Sequence, residues 1–188
     1  MVETSQRDVL PDKNKENNLA VEGVRKFTEE QETQAGLRVM RNILTGINDC
    51  IVFGSTAMYL YGKKYDDHDF TVKPGDFDAV VGKEETLGVI YQRLKNLKSQ
   101  GYNQDGIEVT GVEIENEDGK EGKYKVFSTD KSLALQGKIK MQINGKKTVY
   151  PFEFFYRTFI VPKKEIHATQ QIEGFEVLSL EDLKKQSL

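Results

Sequence analysis

Three acidic residues in strand-like surroundings carry the first chemical signal in this sequence. Asp76 and Asp78 open the run Asp76-Phe77-Asp78-Ala79-Val80-Val81, directly after the turn signal Pro74-Gly75. Residues i and i+2 of a strand project from one face, so this spacing sets two carboxylates side by side while Phe77 and Ala79 point the other way. Two like charges in an apolar strand are costly unless solvent or a cation neutralises them. Hard oxygen donors so arranged suit magnesium, which keeps several waters and bridges to phosphates. The plain structural alternative is a solvated strand start, where aspartates are common. Glu153 is the third acid, alone among aromatics in Tyr150-Pro151-Phe152-Glu153-Phe154-Phe155-Tyr156. A carboxylate there lies either at an exposed sheet edge or near a cation, and Pro151 points to an edge or a strand start.

The pair Gly54-Ser55 ends the apolar run Cys50-Ile51-Val52-Phe53 and precedes a helical pattern over Thr56 to Tyr61. Backbone N–H groups and the helix dipole face such a turn, glycine lets a phosphate approach the backbone, and serine adds a hydroxyl with little bulk. An ordinary turn and cap reads the same way when taken alone. A rival acid pair, Asp67-His68-Asp69, precedes Phe70-Thr71-Val72. Asp76 and Asp78 are preferred because the strand they open runs straight into the helix that starts at Glu84. With the rival pair, His68 would serve as ligand or base rather than as a solvated loop side chain; His167 carries less signal still.

Positioning these groups requires several elements. Leu37, Met40, Leu44 and Ile47 share one helical stripe between Leu19 and Ile47, with Gly23, Gly36 and the polar stretch Thr28 to Gln34 predicting two helical pieces. Leu87, Ile90, Tyr91, Leu94 and Leu97 define the clearest helix, Glu84 to Lys98. Past Gly101 the period falls to two: a strand through Ile107, Val109, Val112 and Ile114 with an irregularity near Gly111, a turn over Asn116 to Gly122, and strands over Lys123 to Ser128 and Leu133 to Ile143. Asn144-Gly145 predicts a tight hairpin into Lys147 to Tyr156. Pro162 breaks the following run; a short strand, Glu176 to Leu178, and a capped helix from Ser179 end the chain. Residues 1–18 are expected to be a flexible arm, and residues 19–188 a single domain.

Taken in order, Ile51-Val52-Phe53-Gly54-Ser55-Thr56-Ala57, Gly75-Asp76-Phe77-Asp78-Ala79-Val80-Val81 and Phe152-Glu153-Phe154 resemble the nucleotidyltransferase superfamily, which includes polymerase beta-like, antibiotic-modifying and toxin-type members. The resemblance spans Cys50 to Leu188 and is specific only in its ordered combination. It implies an α+β fold, a mixed sheet flanked by helices with an N-terminal helical extension. It also implies metal-dependent transfer of a nucleoside monophosphate from a nucleoside triphosphate to an acceptor, which is a small molecule, a tRNA or a protein. Asp76 and Asp78 would hold Mg2+ or Mn2+, Glu153 would join them and help activate the acceptor, Gly54 and Ser55 would fix the terminal phosphates, and Lys63, Lys64 or Lys73 would offset their charge. Glu in place of the more usual Asp at the third acid, the long interval between Gly-Ser and the acid pair, and the absence of a C-terminal substrate-binding helical domain depart from the family pattern. They keep two other readings open: a catalytically inactive binding module, and a toxin-antitoxin-like protein whose site a protein partner completes.

The whole-chain numbers fit this picture. With 188 residues, 30% charged and 37% hydrophobic residues and a mean hydropathy of -0.58, the chain has the composition of a soluble globular protein. No apolar run reaches the ~18 residues that span a bilayer, and the N-terminus has no secretory pattern, so no membrane is expected and the expected compartment is the cytoplasm. A net charge of -3 argues against a broad basic footprint for duplex nucleic acid. The single cysteine, Cys50, has no partner for an internal disulfide and is expected to be a buried structural thiol.

Overall fold

The computed structural model describes residues 13–66, 73–115, 117–118, 123–124, 134–156 and 168–186. Residues Lys13–Leu44 form one continuous helix, α1, rather than two pieces. A glycine inside a helix costs only about 1 kcal/mol relative to alanine, and at Gly36 the missing side chain has a use. A Cβ there would stand 2.4 Å from the ring of Tyr150, so the helix backbone rests directly on that ring. Of the expected stripe, Leu37 and Met40 are fully buried, joined by Ile43, while Leu44 and Ile47 pack partly buried against the core, Ile47 beyond the helix end. The C-terminal carbonyls of α1 are capped from outside: Arg93 donates to the carbonyls of Ile43 (2.6 Å) and Thr45 (2.7 Å).

The apolar run that follows is strand β1 (Cys50–Val52), and α2 (Gly54–Tyr65) starts two residues later. Tyr59 of α2 ties the two helices together, donating to Glu30 and accepting from Gln34. Strand β2 (Phe77–Val81) leads into α3 (Glu84–Ser99), whose buried face is the predicted set Leu87, Ile90, Tyr91, Leu94 and Leu97. Burying each of these side chains contributes roughly 1.5–3 kcal/mol, and Glu84 and Glu85 complement the dipole in the first turn.

The remaining strands are β3 (Asn103–Gln104), β4 (Ile107–Ile114), β5 (Glu117–Asp118), β6 (Lys123–Tyr124), β7 (Ala134–Ile143), β8 (Lys146–Tyr156), β9 (Thr169–Ile172) and β10 (Phe175–Leu178), before a last helix, α4 (Leu180–Gln186). The ladder of β4 with β7 shifts register between Val109 and Gly111, where the irregularity was expected. Asn144 and Gly145 adopt the positive φ angles, 49° and 83°, that a two-residue hairpin demands. β5 pairs with β6, so a short ladder begins inside the expected turn over Asn116 to Gly122 and closes just past it. Of the strand expected over Lys123 to Ser128, only Lys123 and Tyr124 lie within the described residues. Ser179 caps α4, accepting from the Asp182 N–H at 3.2 Å.

Eight strands form one sheet in the order β3-β4-β7-β8-β2-β1-β10-β9. It is mixed: β1 with β10 and β2 with β8 are parallel, the other neighbours antiparallel. The architecture is therefore α+β, as the resemblance implied. Among the described residues, no helix is long and apolar enough to cross a membrane.

One expectation is corrected by the sheet order. β8 is an interior strand between β7 and β2, not an edge. Its proline is tolerated for a local reason. Pairing with β2 begins at Phe77 opposite Phe152, so Pro151 lies one residue ahead of that ladder and removes no hydrogen bond to β2.

Candidate metal centre

Asp76 occupies the bend just before β2, Asp78 is the second residue of β2, and Glu153 lies directly opposite Asp78 on parallel β8. Register partners in a sheet project from the same face, so the two strands bring the two carboxylates together. Phe77 and Ala79 are fully buried on the opposite face, as the alternation predicted. One carboxylate oxygen from each of Asp76, Asp78 and Glu153 lies within 4.8 Å of the others. All three residues are half-buried. Because β8 is interior, Glu153 is not an acid at a solvated edge, which removes the structural alternative that Pro151 had suggested.

The electrostatics record the crowding. Burial, then the charge of Asp76, then that of Glu153 push the Asp78 carboxyl up to about 7. Burial and the charges of Asp76 and Glu115 also raise Glu153 above the usual carboxylate range. Gln136, opposite Glu153 on β7, donates its amide N–H to Glu153 Oε1. The donor set is all hard oxygen with uncompensated negative charge, which fits Mg2+ or Mn2+ and not a soft, thiolate-seeking metal.

The Gly54-Ser55 turn adjoins these acids. Gly54 has φ +63°, and a Cβ on it would stand 2.7 Å from Asp78 Oδ2, so only glycine lets the turn and the carboxylate share this space. Phe53, the residue at the N-cap of α2, makes no side-chain cap hydrogen bond, and the first turn of α2 holds no acid. Backbone N–H groups at this end therefore remain for an anion, beside the acids rather than across the molecule from them. The backbone locks the two parts together: Phe53 N–H donates to Asp78 O at 3.1 Å, and Thr56 Oγ1 donates to Asp76 O at 2.7 Å.

Below this junction stands Tyr150. It is 5% exposed, and no hydrogen bond of good geometry reaches its hydroxyl. The hydroxyl lies beside the Thr56 side chain; burial and the charges of Asp76 and Asp78 raise the phenol well above its ordinary range, so it stays protonated. Tyr150 and Gln136 were not singled out from the sequence as parts of the site. For Gln136 a signal existed, because the two-residue turn at Asn144 and Gly145 fixes the hairpin register that sets it against Glu153.

The other candidates separate clearly. Lys63 and Lys64 are in the last turn of α2, roughly 14 Å along the helix from Gly54. Lys63 is engaged by Glu30 (3.7 Å) and Glu173 (3.8 Å), and Lys64 sits over the Tyr65 ring. Lys73 pairs with Glu29 at 3.7 Å and, in the chain, is nearest to the acids. Asp67, His68, Asp69 and His167 lie outside the described residues. Cys50 is buried, and burial with the nearby charges of Asp49 and Glu176 pushes its thiol up, as expected of an inert structural cysteine.

No family model matches the chain, and no curated protein matches it in sequence. Its structure is similar to the crystal structure of JHP933 from Helicobacter pylori, with TM-score 0.53 and 15% identity over 85% of this chain and 55% of that one. A structure described as a "putative nucleotidyltransferase" from H. pylori follows at TM-score 0.49 and 16% identity, covering 84% of this chain and 57% of that one. The Megavirus polyadenylate synthase follows at 0.45 and 14%, covering 93% of this chain and 32% of that one. The chain thus spans little more than half the length of the first two. At these identities the likeness to JHP933 is one of fold. The adjacency of turn, paired aspartates and third acid is read from this chain's own geometry.

Proposed function

We propose that the protein is a metal-dependent nucleotidyltransferase that moves a nucleoside monophosphate from a nucleoside triphosphate to an acceptor hydroxyl. The observation that carries this reading is the contact of Asp78 with Gly54, which joins a three-carboxylate cluster to an uncapped helix N-terminus. A divalent cation bound there would supply charge neutralisation for the triphosphate and Lewis acidity at phosphorus. Asp76 and Asp78 would hold it. The N–H groups at Gly54 and Ser55 would anchor the terminal phosphates, orienting the α-phosphate toward Glu153. Glu153, whose carboxyl is raised above the usual range, is the better proton acceptor for it. It would take the acceptor's proton as the new P–O bond forms and the bond to pyrophosphate breaks.

The experiment is transfer of label from an α-labelled nucleoside triphosphate with Mg2+ or Mn2+, offering small hydroxyl compounds, tRNA and protein as acceptors. Label transfer by the wild type that is lost in Asp76→Ala and Asp78→Ala supports the reading; transfer undiminished in those variants rejects it. A second reading is a nucleotide-binding module without catalysis. The hydrogen bond from Gln136 favours it, because that bond occupies one of the two Glu153 oxygens. Metal-dependent triphosphate binding with no transfer, unaltered in Glu153→Gln, distinguishes the module from the enzyme.

A further inference from the structure

Along β7, alternate residues bring Gln136, Lys138 and Lys140 onto the face that carries Glu153. Each engages an acid beside it: Lys138 pairs with Glu115 at 3.1 Å, Lys140 pairs with Glu113, and Gln136 donates its amide N–H to Glu153 Oε1. The two lysines neutralise the carboxylates they hold. Glutamine brings a donor without a charge, so this row stops being cationic at the rung that faces the acidic cluster.

A donor has a task there because Glu153 carries its carboxylate on one more rotatable bond than Asp76 and Asp78 do, so a fixed strand does not by itself fix the acid. Gln136 supplies a second point of attachment. It lies directly opposite Glu153 in the ladder of β7 with β8, and its own backbone is held from the other side, where its carbonyl accepts from the Glu115 N–H at 2.9 Å. We propose that Gln136 is a positioning residue for the metal site, its neutral amide holding Glu153 Oε1 so that the carboxylate stays beside Asp76 and Asp78 with its negative charge intact. A bond to one oxygen leaves the carboxylate's other lone pairs for a cation. Outer-shell donors of this kind set the orientation of metal ligands without touching the metal. A lysine at the same place would hold the oxygen but cancel the charge that attracts the ion. The inference rests on the metal site, which the enzyme and the module readings share.

Binding of Mn2+ to the full chain, followed by the paramagnetic resonance signal of free Mn2+, tests it without any need for turnover. Gln136→Ala is expected to weaken Mn2+ binding about tenfold or more. Gln136→Lys is expected to weaken it by at least about a further tenfold, because the ammonium and the ion compete for the same carboxylate. Glu153→Asp draws the carboxylate back by one methylene, away from the amide, so adding Gln136→Ala to that variant should cost less than about twofold. A general loosening of the sheet would cost the same in both backgrounds. Mn2+ affinity of Gln136→Ala within twofold of a binding wild type overturns the inference while leaving the metal site standing, as does Gln136→Lys that binds as tightly as the wild type, or an undiminished loss in the Glu153→Asp background. Wild-type protein that binds Mn2+ no better than Asp78→Asn overturns both the metal site and the role of Gln136.

Discussion

Replacing Asp78 with asparagine should have opposite effects on the metal-free and the metal-loaded protein. In the folded chain, burial and two acidic neighbours move the Asp78 carboxyl from its ordinary 3.8 to about 7. The folded state therefore holds that proton more tightly than the unfolded state does. The stability this contributes is complete below about pH 4 and is lost as pH rises through about 7, so at pH 8 the ionised group is a net burden. At full strength such a shift is worth roughly 4 kcal/mol; for a group only about half-buried, solvent screening brings it to about 1–2 kcal/mol. Asparagine keeps the shape and cannot ionise. In EDTA at pH 8, Asp78→Asn should melt higher than wild type by about 2–8 °C, at the 2–4 °C per kcal/mol usual for a domain of this size. Saturating Mg2+ or Mn2+ should reverse the order, because a ligand at a hundred times its dissociation constant adds about 2.7 kcal/mol to the wild type and little to the variant. Differential scanning calorimetry across pH 5–8, with and without metal, reads both effects. A variant that melts below wild type in EDTA, or that keeps the metal-induced rise, would refute the account of the cluster as a repulsive site completed by a cation.

Gly54→Ala should reduce Mn2+ affinity and label transfer by at least tenfold while lowering stability by about 1–3 kcal/mol, since its Cβ would stand 2.7 Å from Asp78 Oδ2 at φ +63°; calorimetry and Mn2+ titration check the two parts. Gly36→Ala should destabilise by about 1–3 kcal/mol through overpacking against the Tyr150 ring, measured by urea denaturation. Mn2+ affinity of the wild type should rise with pH below about 7, by up to tenfold per pH unit, because binding must displace the Asp78 proton, and should level off above it; isothermal titration in buffers of different ionisation enthalpy counts the released proton.

How much of this could be read from residues alone depended on whether a local pattern matched its role. The stripe of α3, the turn at Asn144 and Gly145 and the run from Cys50 to Gly54 all carry periodicities or turn residues that only one element satisfies. Asp78 and Glu153 were identifiable as acids in apolar runs, but their being opposite each other is set by the parallel pairing of β2 with β8, which no local signal encodes. Pro151 pointed to an edge because a proline's missing donor is usually a property of the whole strand; here it falls just outside the ladder with β2 while staying inside the ladder with β7, opposite Lys138. Gly36 pointed to a helix break because its packing partner, Tyr150, is more than a hundred residues away. β9, Thr169-Gln170-Gln171-Ile172, is a sheet-edge strand with one fully buried residue, too polar to announce itself. Tyr150 passed as one more aromatic in an aromatic strand, since the lack of a partner for its hydroxyl is a three-dimensional fact.

The pairing of Phe77–Val81 with Phe152–Tyr156 also bears on the order in which the molecule assembles. The hairpin of β7 and β8 closes across two residues and can form early, whereas its docking on β2 must close a loop of about seventy residues. That late step is the one that forces Glu153 against the two aspartates. Divalent cations should therefore speed the docking phase of refolding and leave hairpin closure untouched, making the acidic cluster a gate on the final stage of its own construction.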